Sequence, residues 1–138
     1  MNDLEKAIEI LKTSDKTLVL VKGDEVITFD ARGVKPLLEL IDSGKDYQEY
    51  SFADKVIGRA SAFLYLVLGA NDIYTNIISK GALNLLENKV NLKYEKVVEN
   101  IINRKGDDIC PMEKATTGIE CKEEALIAIR KRIEELSR

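Results

Sequence analysis

The chain is predicted to form a three-layer α/β/α sandwich around a mixed sheet. Three observations carry that reading. Short β-rich stretches alternate with amphipathic helical stretches, one pair of strands is close enough to form a hairpin, and one apolar stretch is too evenly greasy to face solvent on any side. Strands joined through helices favour parallel pairing with both sheet faces covered, while a hairpin adds antiparallel pairing, so the sheet is mixed.

The elements follow in order. Leu4, Ala7, Ile8 and Leu11 recur at helical spacing opposite Glu5, Lys6, Glu9 and Lys12, which predicts an amphipathic helix over 3–13. Leu18 to Val21 and Val26 to Phe29, joined through Gly23 and Asp24, predict a hairpin. Residues 34–43 gather Leu37, Leu38 and Ile41 on one side, with Pro36 at a tolerated first-turn position and Gly44 as the stop, and so form a short helix. Ser51 with Asp54 three positions on reads as a capping box, which starts a long central helix at Phe52. Val56, Ile57, Ala60, Phe63, Leu64, Val67 and Leu68 cover most of its circumference, as a fully enclosed helix requires. Gly69 to Asp72 break it. Ile73 to Ile78 then read as a buried strand, Ser79 caps a helix through about Asn88, and Leu92 to Val98 form another strand. The apolar spacing of 99–105 fits a strand extension or a helical turn equally well, and 106–118 reads as a functional or covering loop. The last stretch places Ala125, Leu126, Ile129, Ile133 and Leu136 on one helical face, with acids early and bases late. No repeat or linker divides the chain, so residues 1–138 are expected to form one domain.

Composition narrows the function classes. The 138 residues carry 21 Lys and Arg against 24 Asp and Glu, interspersed rather than blocked, which argues against nucleic acid as a partner. The N-terminus is charged and amphipathic, unlike a signal peptide, and no run approaches the roughly 18 apolar residues of a membrane span, so a cytoplasmic location without membrane contact is expected. Many Lys and Glu, no His or Trp and a single Gln, Gln48, point to a heat-adapted source. Two cysteines, Cys110 and Cys121, are too few for a disulfide framework or a structural zinc site; whether they pair is left to geometry. No metal or other cofactor is expected.

The element order, together with "ADKVIGRASAFL" (53–64), "IYTNIISKGALNLL" (73–86) and "CPMEKAT" (110–116), resembles the cytidine-deaminase-like fold. Within that fold it is similar to a small bacterial and archaeal family of unknown function. The resemblance implies homo-oligomers and a cavity at the starts of two helices. Zinc deaminases carry H-x-E on one helix start and P-C-x-x-C on the next. Here those elements align with Ala53, Asp54, Lys55 and Val56, and with Ser79, Lys80, Gly81 and Ala82, so every metal ligand is missing. Zinc-dependent deamination is therefore rejected.

The candidate site is a pocket for a small anionic ligand, such as a nucleotide or a nucleotide-derived group. Lys55, Arg59 and Lys80 would supply charge, Ser79 and Gly81 hydroxyl or backbone contacts, and Asp54 orientation or a ribose contact. Lys55 and Arg59, four apart, share a helix face and repel unless an anion or a structural carboxylate sits between them; both readings stand. Gly58 costs about 1 kcal/mol inside a helix and signals close approach, by a ligand or by neighbouring backbone, with Ala62 favouring packing. The catalytic candidates are Cys110, with Glu113 as proton carrier and Lys114, Lys105 or Arg104 to stabilise a thiolate, although a half-buried structural thiol fits as well. Thr116, Thr117 and Gly118 form a polar turn able to cradle an anion but not a P-loop. An assembly module without a small-molecule site is the remaining alternative.

Overall fold

The computed structural model describes residues 1–102, 106 and 108–137. The elements run α1 (Asp3–Thr13), β1 (Leu18–Lys22), β2 (Glu25–Phe29), α2 (Lys35–Asp42), β3 (Ser51–Ile57), α3 (Arg59–Leu68), β4 (Asp72–Ser79), α4 (Lys80–Leu86), β5 (Asn91–Val98), α5 (Pro111–Ala115) and α6 (Lys122–Leu136). The sheet order is β2-β1-β3-β4-β5. Strand β1 pairs antiparallel with both β2 and β3, and β3-β4-β5 are parallel, so the sheet is mixed as the hairpin and helical crossovers require.

Alternation along the strands sorts the core onto the two faces. Val19, Val21, Ala53 and Tyr74 pack with Leu4, Ala7 and Leu11 of α1. Leu18, Leu20, Phe52 and Ile73 instead join the larger cluster formed with α2, α3, α4 and α6. At its centre Phe52 and Tyr65 meet edge to face, ring centroids 5.3 Å apart, and neither is exposed. An Asn2–Glu5 capping box starts α1, and Gly69, in the left-handed region at φ 71°, closes α3 with the Ala70 N–H donating to the Tyr65 carbonyl at 3.1 Å.

The long helix expected from Phe52 is corrected: residues 51–57 are the central strand, and the helix starts only at Arg59. A strand buried on both faces loses its two-residue alternation, so SFADKVI and the enclosed helix after it merge into one continuous apolar stretch. The capping box read at Ser51 dissolves with it. Ser51 Oγ donates to Asp72 Oδ2 at 2.6 Å, tying β3 to β4, and Asp54 faces Tyr65. The H-x-E alignment at Ala53–Val56 consequently falls on a strand rather than a helix start. The loop expected over 106–118 contains α5, whose single turn is too short to show apolar periodicity, although Pro111 stands at a favoured first position. In the stretch left open, Ile102 bridges antiparallel to Ile109. No helix among the described residues is long and apolar enough to cross a membrane.

Candidate functional site

A cleft of about 1190 Å³ opens at the carboxyl end of β3, between the start of α2 and the α5 segment. Open α/β sheets place their ligand crevices at the carboxyl ends of strands, where connections diverge. Here β3 lies between antiparallel β1 and parallel β4. Of the residues expected at a site, Asp54, Lys55, Gly58, Cys110 and Glu113 line this cleft; Arg59, Ser79, Lys80 and Gly81 do not.

Asp54 projects from β3 towards α3. Its Oδ2 accepts the Tyr65 hydroxyl at 2.7 Å and its Oδ1 the Val56 N–H at 3.4 Å. Burial nevertheless outweighs these bonds and pushes the carboxyl up to about 7. The Tyr65 phenol, itself buried beside that carboxylate, is raised well above its ordinary value. The pair leaves a carboxyl that exchanges its proton near neutrality at the wall of a cleft, a property concentrated at functional sites. Lys55, the next residue, is half-buried; its backbone N–H donates to the Thr17 carbonyl at 3.1 Å. Its ammonium makes no ion pair among the described residues.

The starts of α3 and α4 do converge on an anion, and the chain supplies it. Glu113 of α5 is 6% exposed. Its Oε1 accepts the Arg59 backbone N–H and, at 3.4 Å, the Ser79 hydroxyl, while Oε2 accepts the Ile101 N–H at 3.0 Å. Ser79 Oγ also caps α4 by accepting the Ala82 N–H at 3.2 Å. The carboxylate satisfies a free N–H at the positive start of α3 and reaches the start of α4 through the hydroxyl of its N-cap, Ser79. Gly58 makes the approach possible. A Cβ there would stand 2.9 Å from Glu113 Oε1 and 3.0 Å from Ile101 Cγ1. Close approach at Gly58 was legible in the sequence, but the visitor is a side chain from α5 and the position is the N-cap of α3, not its interior.

The three cations do not gather round one hollow. Arg59 Nε donates to the Thr116 carbonyl at 2.9 Å, Nη2 donates to the Ile119 carbonyl, and the guanidinium lies 5.2 Å from the Phe63 ring centroid. It thereby straps the turn between α5 and α6 onto α3. Gly81 lies against the same side chain; a Cβ there would stand 3.4 Å from Arg59 Cδ, an ordinary contact, so the strap does not require a glycine. Lys80 is exposed and bonds Glu99 Oε1 at 2.6 Å. Lys55 alone of the three faces the cleft.

Cys110 is half-buried at the N-cap of α5 and lines the cleft; Cys121 is exposed and donates to Glu123 Oε2 at 3.1 Å, so both thiols are free. Glu113, read as a proton carrier, is committed to the helix starts, and Lys114 pairs with Asp108. Arg104 and Lys105, read as thiolate partners, lie outside the described residues. The Thr116 and Thr117 hydroxyls donate back to the Met112 and Glu113 carbonyls at 2.9 and 2.8 Å, closing α5 rather than forming an anion cradle. No three His, Cys, Asp or Glu side chains among the described residues are grouped as a metal would need. Sequence reasoning missed Tyr65. A tyrosine within the apolar run from Ala62 to Leu68 was its one signal, because a buried phenol needs a partner.

The family model TM1506, a domain of unknown function (DUF1893), matches residues 6–133. The chain belongs to the DUF1893 family. A crystal structure of the DUF1893 protein TM1506 from Thermotoga maritima superposes with a TM-score of 0.87 at 26% identity, covering 95% of this chain and 90% of that one. A search of curated proteins gave no match. The DUF1893 assignment thus fixes the family and leaves its chemistry to be argued from the cleft.

Proposed function

We propose that this chain binds a small molecule bearing an anionic group, of the nucleotide class, in the cleft at the end of β3, on a cytidine-deaminase-like three-layer scaffold. The observation that carries the reading is the juxtaposition of Asp54 and Lys55 on a cleft of about 1190 Å³. Lys55, free of ion pairs among the described residues, attracts the anionic group. Asp54, poised between its two protonation states near pH 7, donates to or accepts from a polar group of the same ligand. Buried Val34, Pro36 and Leu37 offer the apolar wall that small-molecule sites share. The mixed sheet of order β2-β1-β3-β4-β5, with apolar clusters on both faces, supports the scaffold.

The test is a thermal-shift screen with inorganic phosphate, pyrophosphate, nucleoside monophosphates and small dicarboxylates. A ligand at a hundred times its Kd stabilises the fold by about 2.7 kcal/mol, well within detection. The shift is expected to vanish in Lys55→Ala and to weaken in Asp54→Asn. No shift with any compound, or the same shift in both variants, rejects the cleft. Arg59→Ala is unsuitable here because it removes the strap on the α5–α6 turn. A second reading, thiol chemistry at Cys110, is favoured by the place of Cys110 in the same cleft. It requires alkylation at neutral pH to be fast and to be blocked by whatever ligand the screen finds.

A further inference from the structure

Among the described residues, strand β5 closes one edge of the sheet, with β4 on one side and no strand on the other. The strand at the opposite edge, β2, has five residues; β5 has eight. Its pairing with β4 keeps one constant offset from Asp72↔Asn91 to Ser79↔Val98, so no bulge bends it out of reach. It contains no proline. Six of its eight residues are exposed, and Tyr94 at 44% and Val97 at 37% are among the most open large apolar side chains of the molecule. Such an edge is a template for another strand unless its side chains forbid pairing.

We propose that β5 pairs antiparallel with β5 of a second copy about a two-fold axis through Tyr94, joining two sheets into one. The charge order of the strand suits a second copy of itself and favours this register, the one that pairs opposite charges within the strand. In an antiparallel pair, residues whose backbone groups point outward on one strand face residues that point outward on the other. For two identical strands, positions of the same parity therefore meet, and the axis must pass through a residue. Axes through Lys93, Glu95 or Lys96 set each of those charges against its own copy, which is unfavourable. An axis through Tyr94 sets Lys93 opposite Glu95 and Glu95 opposite Lys93, with the two tyrosines facing each other. Lys93 and Glu95, two apart, share a sheet face, so both ion pairs form on the same side. The sequence Lys-Tyr-Glu is its own complement when reversed, the property that a two-fold interface demands. Within the chain, Glu95 lies 3.9 Å from the Lys12 ammonium and beside the Tyr74 hydroxyl, and its side chain stays more than half exposed, open to a second cation across the edge.

Sedimentation velocity on the full chain, from micromolar to millimolar concentration and at low and high salt, tests this. A monomer–dimer equilibrium that weakens with salt is expected. Glu95→Lys, which turns both ion pairs into repulsions, should raise the dimer dissociation constant about tenfold or more. The swap Lys93→Glu with Glu95→Lys should restore it. Both sites are exposed, and thermal melts verify that the variants fold. A chain that is monomeric throughout, a dimer indifferent to Glu95→Lys, or a swap that fails to restore pairing overturns the proposal.

Discussion

Replacing Glu113 by alanine removes the carboxylate that ties α5 to the starts of α3 and α4. Two backbone donors, the N–H groups of Arg59 and Ile101, lose a charged acceptor, and the Ser79 hydroxyl loses a longer contact while keeping its capping bond to Ala82. Hydrogen bonds to a charged group contribute about 1.5–3 kcal/mol each, so the two short ones set a ceiling near 6 kcal/mol. Water entering from the adjoining cleft recovers part of that, leaving a loss of about 3 kcal/mol. For a chain of this size that lowers Tm by roughly 10 °C. Glu113→Gln keeps one acceptor oxygen and should cost about half as much. The assay is urea denaturation with calorimetry as the two-state check. Gly58→Ala supplies a second handle, because its Cβ meets Glu113 Oε1 at 2.9 Å and should destabilise by displacing the same carboxylate. The double variant Gly58→Ala/Glu113→Ala should then lose less than the sum of the singles, by about 1 kcal/mol or more. A Glu113→Ala variant within about 0.5 kcal/mol of the parent, or strict additivity with Gly58→Ala, refutes the reasoning.

Two further outcomes are expected. Burial raises the Asp54 carboxyl from 3.8 to about 7, so the folded chain binds this proton more tightly than the unfolded chain; the stability it contributes is complete below pH 3.8 and lost as pH rises through 7. Asp54→Asn, which can still accept from Tyr65, should flatten that slope and be more stable than the parent above neutrality, read as the difference in urea midpoint against pH. Arg59→Ala should cost about 2–3 kcal/mol by freeing the Thr116 and Ile119 carbonyls, and Arg59→Lys should not rescue it, since one ammonium cannot span both; hydrogen exchange should rise first at the α5–α6 turn.

Most of the architecture was legible because helices α1, α2, α4 and α6 and strands β1, β2, β4 and β5 each announce themselves locally, through amphipathic spacing, β-rich composition or a cap. The error at β3 is physical. A central strand between two packed layers has no solvent face, so Phe52, Ala53 and Ile57 carry no alternation, and the helix beginning at Arg59 is equally enclosed. Gly58 marked the boundary, yet its meaning depends on Glu113, 55 positions later, which no local pattern reveals. The site was legible in the same uneven way. An anion at two helix starts follows from backbone electrostatics; that the chain provides its own does not. Asp54 and Lys55 were singled out as residues of a helix start, and they line the cleft as residues of a strand end.

A ligand held at the end of β3 through Asp54 and Lys55 would mark the backbone amides that line the cleft. Two-dimensional amide NMR of the full chain, titrated with the strongest compound from the thermal-shift screen, tests it most directly. Shift changes are expected to centre on Asp54 to Ser61, on Gly33 to Leu37 and on Cys110 to Met112, and to be lost in Lys55→Ala. Changes centred elsewhere, or an identical map in that variant, contradict it.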